Sequence, residues 1–143
     1  MARVSAKTET TVPAKGLIAD DDARMRKVIR SIVADLALEI IEAEDGRTAV
    51  EAWLLHKPNW LTLDLAMRPV DGLTALREIK SADPLAVIVV VTAYDTYAFR
   101  EAARLAGARA YVLKDDLWKV REALLVARTG PNPSPVHKNR NTN

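Results

Sequence analysis

Asp20, Asp21 and Asp22 stand in a row directly after the apolar run Gly16–Ala19. A fourth acid, Asp64, follows the run WLTL. Thr92 closes VIVVVT, and Lys114 follows AYVL. These polar groups therefore sit at the ends of apolar stretches, where a chain gains little from a charge unless the charge does something. Close carboxylates repel unless a cation lies between them. Hard divalent cations take oxygen ligands, and Mg²⁺ commonly uses one or two carboxylates together with phosphate oxygens and water. A carboxylate can also be the nucleophile that accepts a phosphoryl group. A lysine then balances the anion as a point charge, and a threonine hydroxyl can bond a phosphoryl oxygen. Together the acids, Thr92 and Lys114 form a site for phosphorylating Asp64. Plainer readings cover part of the cluster: Asp22 is a good N-cap, and adjacent acids favour the positive end of a helix dipole. They leave Asp64 unexplained, since no helix start follows it until Leu73.

The elements that must position these groups alternate along the chain. Strands are predicted at Gly16–Ala19, Glu39–Ala43, Trp60–Asp64, Ala86–Thr92 and Ala110–Leu113. Helices are predicted at Ala23–Leu36, Arg47–Leu55, Leu73–Ser81, Thr96–Ala106 and Asp116–Arg128. The β-branched run VIVVV predicts a strand buried on both faces, and Gly107 reads as a helix C′ residue. Five strands alternating with five helices imply right-handed crossovers, a parallel sheet and helices on both faces. Ligands of such sheets bind beyond the carboxyl ends of the strands, at the switch point of strand order.

Composition narrows the classes. The chain of 143 residues is 49% hydrophobic and 28% charged, which suits one domain with a real core. The expected organisation is a tail over 1–15, a domain over 16–128 and a Pro-rich tail over 129–143, both tails too polar to fold. Of the 21 basic side chains 16 lie within 16–128, as do 18 of the 19 acids, so the domain itself carries a net −2. The basic excess belongs to the tails, and nucleic acid is not an expected ligand of the core. There is no cysteine, which removes disulfides and thiolate metal sites and fits a cytoplasmic location. No apolar run approaches the ~20 residues of a membrane span, and the N-terminus has no secretory h-region.

The segments IADDD (Ile18–Asp22), LTLDLAM (Leu61–Met67), DGL (Asp71–Leu73), VVTA (Val90–Ala93) and AYVLK (Ala110–Lys114) occur in order, each at a strand end or the turn after it. In this, residues 16–128 resemble the receiver domain of two-component response regulators. The resemblance implies a doubly wound five-stranded parallel sheet of flavodoxin-like order 2-1-3-4-5 with five helices. It implies that Asp64 is the phosphoacceptor, and that Asp20, Asp21, Asp64 and the backbone carbonyl of Ala66 hold Mg²⁺. Thr92 and Lys114 grip the phosphoryl group, and Tyr111 is the aromatic that moves inward when Thr92 shifts. The phosphodonor is a histidine kinase or a phosphotransfer protein. The expected output is a protein partner or a homodimer through the fourth helix, fifth strand and fifth helix, carrying Arg100, Arg104, Tyr111 and Trp118. The two arginines there favour an acidic partner or a salt-bridged homodimer. No enzymatic activity is implied beyond self-phosphorylation and self-dephosphorylation.

Some positions depart from the family pattern. The loop after Asp64 reads Met67-Arg68-Pro69, with the proline one place late, and Lys114 is followed by Asp115 rather than proline. The positions two after Asp64 and two after Thr92, which flank the path of attacking water in the family, are Ala66 and Tyr94. Trp118 and Leu125 read as a partner surface on the last helix, while His56 and His137 lack metal-ligand spacing. Three other functions compete with this reading. A receiver fragment of a DNA-binding transcriptional regulator is the alternative, although only about 15 residues follow the last helix, too few for a further domain. A haloacid-dehalogenase-like phosphatase needs an acid where Ala66 stands, and a dinucleotide-binding domain needs a Gly-x-Gly after the first strand.

Overall fold

The computed structural model describes residues 12–68 and 70–129. The five strands are β1 (Lys15–Ala19), β2 (Glu39–Ala43), β3 (Trp60–Leu63), β4 (Ile88–Thr92) and β5 (Ala110–Leu113). The helices are α1 (Ala23–Val33), α2 (Gly46–His56), α3 (Gly72–Ala82), α4 (Tyr97–Ala106) and α5 (Val120–Thr129). All strand pairs are parallel, in the order β2-β1-β3-β4-β5. The expected doubly wound, flavodoxin-like sheet is therefore what forms.

Period-2 side-chain alternation splits the core into two layers. Leu17, Leu61, Leu63, Ile88 and Val90 pack against Ala49 and Trp53 of α2, Leu76 and Ile79 of α3, and Ala103 of α4. Ile18, Trp60, Val89, Val91 and Val112 pack on the other face against Ile29 and Val33 of α1 and Val120 and Leu124 of α5. β4 is buried along its whole length, as its β-branched run predicts. Each such side chain contributes about 1.5–3 kcal/mol by leaving water.

Local signals set the helix ends. Asp22, Asp71 and Thr96 cap α1, α3 and α4 by accepting from backbone N–H groups, and Asp45 and Thr48 form a reciprocal capping box at α2. Gly107 closes α4 at φ 108°, where a Cβ would be strained.

Two helices differ from expectation. The first ends at Val33, and Ala34–Leu36 tightens into a 3₁₀ turn whose Leu36 carbonyl accepts the buried Trp60 indole N–H at 2.9 Å. That tertiary bond draws Leu36 out of α-helical geometry. The last helix does not begin at Asp116. Residues Lys114–Lys119 form a 3₁₀ stretch broken at Asp116 (φ −122°, ψ 42°), and α5 starts at Val120. Trp118 thus lies before the helix, not on it. β1 begins one residue ahead of the expected boundary, and Pro13 and Ala14 already accept hydrogen bonds from Leu38 and Glu39. Of the tails expected at 1–15 and 129–143, Lys15 belongs to β1 and Thr129 to α5, while residues 1–11 and 130–143 lie outside the described residues.

Candidate functional site

The strand order reverses direction between β1 and β3, and their register pairs Ala19 with Leu63. The next residue on each strand is an acid. Asp20 and Asp64 therefore emerge side by side, tied by the Asp64 N–H donating to the Ala19 carbonyl at 3.0 Å. One carboxylate oxygen from each of Asp20, Asp21 and Asp64 lies within 4.8 Å of the others. Asp20 and Asp64 are buried and Asp21 is exposed. Asp22 is not part of this group: its side chain accepts from the Arg24 N–H and caps α1.

Lys114 reaches in from the end of β5. Its Nζ lies 2.8 Å from Asp20 Oδ2 and 3.1 Å from Asp64 Oδ2. Although that ion pair is short, no well-directed hydrogen bond reaches Asp20 Oδ2. Burial pushes the Asp20 carboxyl above its ordinary range, against the opposing pull of Lys114. Burial alone would lower the Lys114 ammonium, but Asp20 and Asp64 hold it above its ordinary value. One lysine faces three acids, so the site keeps an uncompensated negative charge. The donors are all oxygen, the buried Asp20 Oδ2 has only the Lys114 ammonium against it among the described residues, and the three acids converge. This set fits a hard divalent cation such as Mg²⁺.

The remaining predicted residues fall around the same edge. The Ala66 N–H donates to Asp64 Oδ1 at 3.2 Å. Thr92 is fully buried, and its hydroxyl oxygen accepts the Tyr94 N–H at 3.3 Å. Tyr111 is partly buried beside the core layer under α2, α3 and α4, and its hydroxyl donates to the Tyr94 carbonyl at 2.8 Å. Arg100 lies over its ring at 4.8 Å.

Arg100 pairs with Asp95 at 3.1 Å, and Arg104 grips Glu101 with two hydrogen bonds of 3.1 and 2.7 Å. Both cations are offset within their own segment, so they make no case for an acidic partner. Trp118 is 70% exposed, with Lys119 over its ring. His56 ends α2 and belongs to no metal-binding group among the described residues. His137 lies outside the described residues.

Two residues escaped the sequence reading. Gly72 sits where any Cβ would run into the Asp64 carbonyl oxygen, with Leu65 Cα at 2.6 Å, so the bare glycine lets α3 start against the acid loop. The DGL segment was visible, but its close backbone approach was not. Phe99 stacks on Tyr94 with ring centroids 4.7 Å apart, a pairing that only the α4 start brings about.

A doubly wound parallel sheet with a charged lysine–acid cluster at its switch point defines the class. Comparison with known proteins makes it specific. The sequence profile of the response regulator receiver domain matches residues 17–125. The chemotaxis protein CheY of Bacillus subtilis is 39% identical over 99 residues, 68% of this chain and 82% of that protein. The transcriptional regulatory protein PdtaR of Mycobacterium tuberculosis is 41% identical over 107 residues, 74% of this chain but 52% of that protein. Among solved structures, the CheX–CheY–BeF₃–Mg complex of Borrelia burgdorferi aligns with a TM-score of 0.76 and 27% identity, covering 83% of this chain and 92% of that one. The chain belongs to the response regulator receiver family, the receiver domains of two-component signalling. Among the described residues, no helix is long and apolar enough to cross a membrane.

Proposed function

We propose that this chain is a stand-alone, phosphorylation-controlled receiver, accepting a phosphoryl group on Asp64 from a histidine kinase or phosphotransfer protein in the cytoplasm. The observation that supports it most is the Lys114 ammonium poised between Asp20 and Asp64, within a three-acid cluster. Asp20, Asp21, Asp64 and the Ala66 carbonyl would hold Mg²⁺, which supplies charge neutralisation at the phosphoryl oxygens. An Asp64 oxygen attacks phosphorus in line. The P–N bond to the donor imidazole breaks as the P–O bond to Asp64 forms, and the imidazole leaves with the electron pair and takes up a proton. Lys114 stays protonated and balances the charge that moves onto the oxygens. The Thr92 hydroxyl oxygen accepts the Tyr94 N–H, which leaves its own O–H to donate to a phosphoryl oxygen. The same loop carries the Tyr94 carbonyl that holds Tyr111, so the phosphoryl group and the α4–β5–α5 face share one segment. That face, with Arg100, Arg104, Tyr111 and Trp118, is the output surface, toward a protein partner or a second copy. No turnover beyond self-phosphorylation and self-dephosphorylation is part of this reading.

Intact-mass spectrometry with acetyl phosphate tests it. One added phosphoryl group is expected with Mg²⁺, and none with chelator or in Asp64→Asn. Label that persists in Asp64→Asn rejects the nucleophile. A second reading, the receiver portion of a transcriptional regulator, is favoured by the match to PdtaR, of which this chain spans about half.

A further inference from the structure

Each polar atom of Asp20 has an assigned role. Its N–H donates to the Ala43 carbonyl at 3.1 Å, its Oδ1 accepts the Asp22 N–H at 2.8 Å, and its Oδ2 faces Lys114. Its carbonyl accepts from Arg26 Nη1 at 2.6 Å. Arg26 stands on the first turn of α1, and its side chain is only 15% exposed. Its Nε donates to Glu42 Oε1 at 2.8 Å, while Arg30 takes Glu42 Oε2 at 2.8 Å. Glu42 on β2 thus anchors a fork whose other prong ends on the Asp20 carbonyl.

That carbonyl belongs to the peptide unit joining Asp20 to Asp21. The unit is planar, so fixing the oxygen also fixes the direction in which the Asp21 backbone leaves. Asp21 is exposed and lies at a bend, and no partner among the described residues holds its side chain. Without the fork, the mutual repulsion of the acids would turn this peptide and spread the carboxylates. We infer that Arg26, braced by Glu42, is a positioning residue for the acid cluster: it holds the Asp20–Asp21 peptide so that Asp20, Asp21 and Asp64 converge on one cation. The inference rests on the reading of that cluster as an Mg²⁺ site. Partners outside the ligand shell that orient metal ligands are worth about 10- to 100-fold in affinity when removed.

Arg30 provides the control. It shares the helix and Glu42 as a partner, but its second contact is the Ile40 carbonyl, away from Asp20. Mg²⁺ affinity is measured by amide NMR titration of the unphosphorylated full chain, beside urea unfolding midpoints. Arg26→Met is expected to weaken Mg²⁺ about 10-fold, and Arg30→Met to leave it within about 2-fold, with comparable losses of stability. Equal affinity in wild type and Arg26→Met overturns the inference, as does an equal loss in both variants, which would mean general loosening. Should Arg26→Met not fold, Arg26→Lys carries the test, since one ammonium cannot reproduce the fork. A rise of several-fold in Kd is expected, and an unchanged Kd overturns the inference. Asp21→Asn separates the two levels. If wild type binds no better than Asp21→Asn, the Mg²⁺ site itself is wrong. If wild type binds and only the Arg26 variants behave as wild type, the positioning role alone fails.

Discussion

Replacing Asp21 by Asn should stabilise the metal-free chain and destabilise it relative to wild type once Mg²⁺ is added. Asp21 suits this test because its side chain has no hydrogen-bond or ion-pair partner among the described residues, and because Asp22, not Asp21, caps α1. Its carboxylate lies within 4.8 Å of those of Asp20 and Asp64. At that range each like-charge pair costs about 0.9 kcal/mol even at the dielectric of bulk water, so two pairs cost about 2 kcal/mol. Losing the attraction to the Lys114 ammonium and a favourable charge near the start of α1 returns about 1 kcal/mol. The net expectation is a gain of about 0.5–1 kcal/mol in chelator, or about 2–4 °C in Tm for a domain of this size. Wild type at Mg²⁺ a hundredfold above its Kd gains about 2.7 kcal/mol, which exceeds that margin, so the order of stabilities should reverse. Urea unfolding with chelator and with Mg²⁺ gives all four numbers. A variant no more stable than wild type in chelator, or one that Mg²⁺ stabilises as much as wild type, refutes the electrostatic account of the cluster.

Further predictions follow from the same contacts. Neither Ala66 nor Tyr94 can orient water as an acid or amide would, and Tyr94 is pinned by Phe99; phosphorylated wild type should decay more slowly than Ala66→Asn or Tyr94→Glu, as followed by intact mass over time. Gly72→Ala should cost upwards of about 2 kcal/mol by urea unfolding, and should shift the Asp64 amide resonance, because the added Cβ meets the Asp64 backbone. Burial opposes ionisation of Glu42, but Arg26 and Arg30 hold its carboxyl below the ordinary range. Its contribution is therefore present above the unfolded pKa and is lost as pH falls through the lower folded value. Glu42→Gln should be less stable at pH 7 by about 0.5–1 kcal/mol after allowance for its partial exposure, and the gap should close in acid. A beryllofluoride phosphoryl mimic should move amide resonances in α4, β5 and residues 114–121 as well as around Asp64; changes confined to Asp64 would remove the switch reading.

The alternation of apolar runs and helical stripes was enough to determine a parallel, doubly wound sheet, because strand burial and crossover handedness leave few other arrangements. The acids, Thr92 and Lys114 were legible for the same reason: each stands one step from the end of a strand, and strand ends meet at the switch point whatever the side chains between them. Helix ends with side-chain caps, such as Asp71 and Thr96, were close to readable within a residue or two. What the chain order could not show depends on contacts between distant segments. The Trp60 indole reaches across to Leu36 and ends the first helix early, and the turn at Asp116 delays the last. Tyr111 meets Arg100 and the Tyr94 carbonyl across the β4–α4 loop, and Asp95 and Glu101 pair the two arginines of α4. Arg26 is the clearest case. In sequence it is one of several cations on an amphipathic helix, and only the register of β1 with β2 brings Glu42 beneath it and the Asp20 carbonyl within its reach. Backbone periodicity is a local property and can be read along the chain, whereas the partner of a long charged side chain depends on how separate elements pack, and only the folded structure decides it.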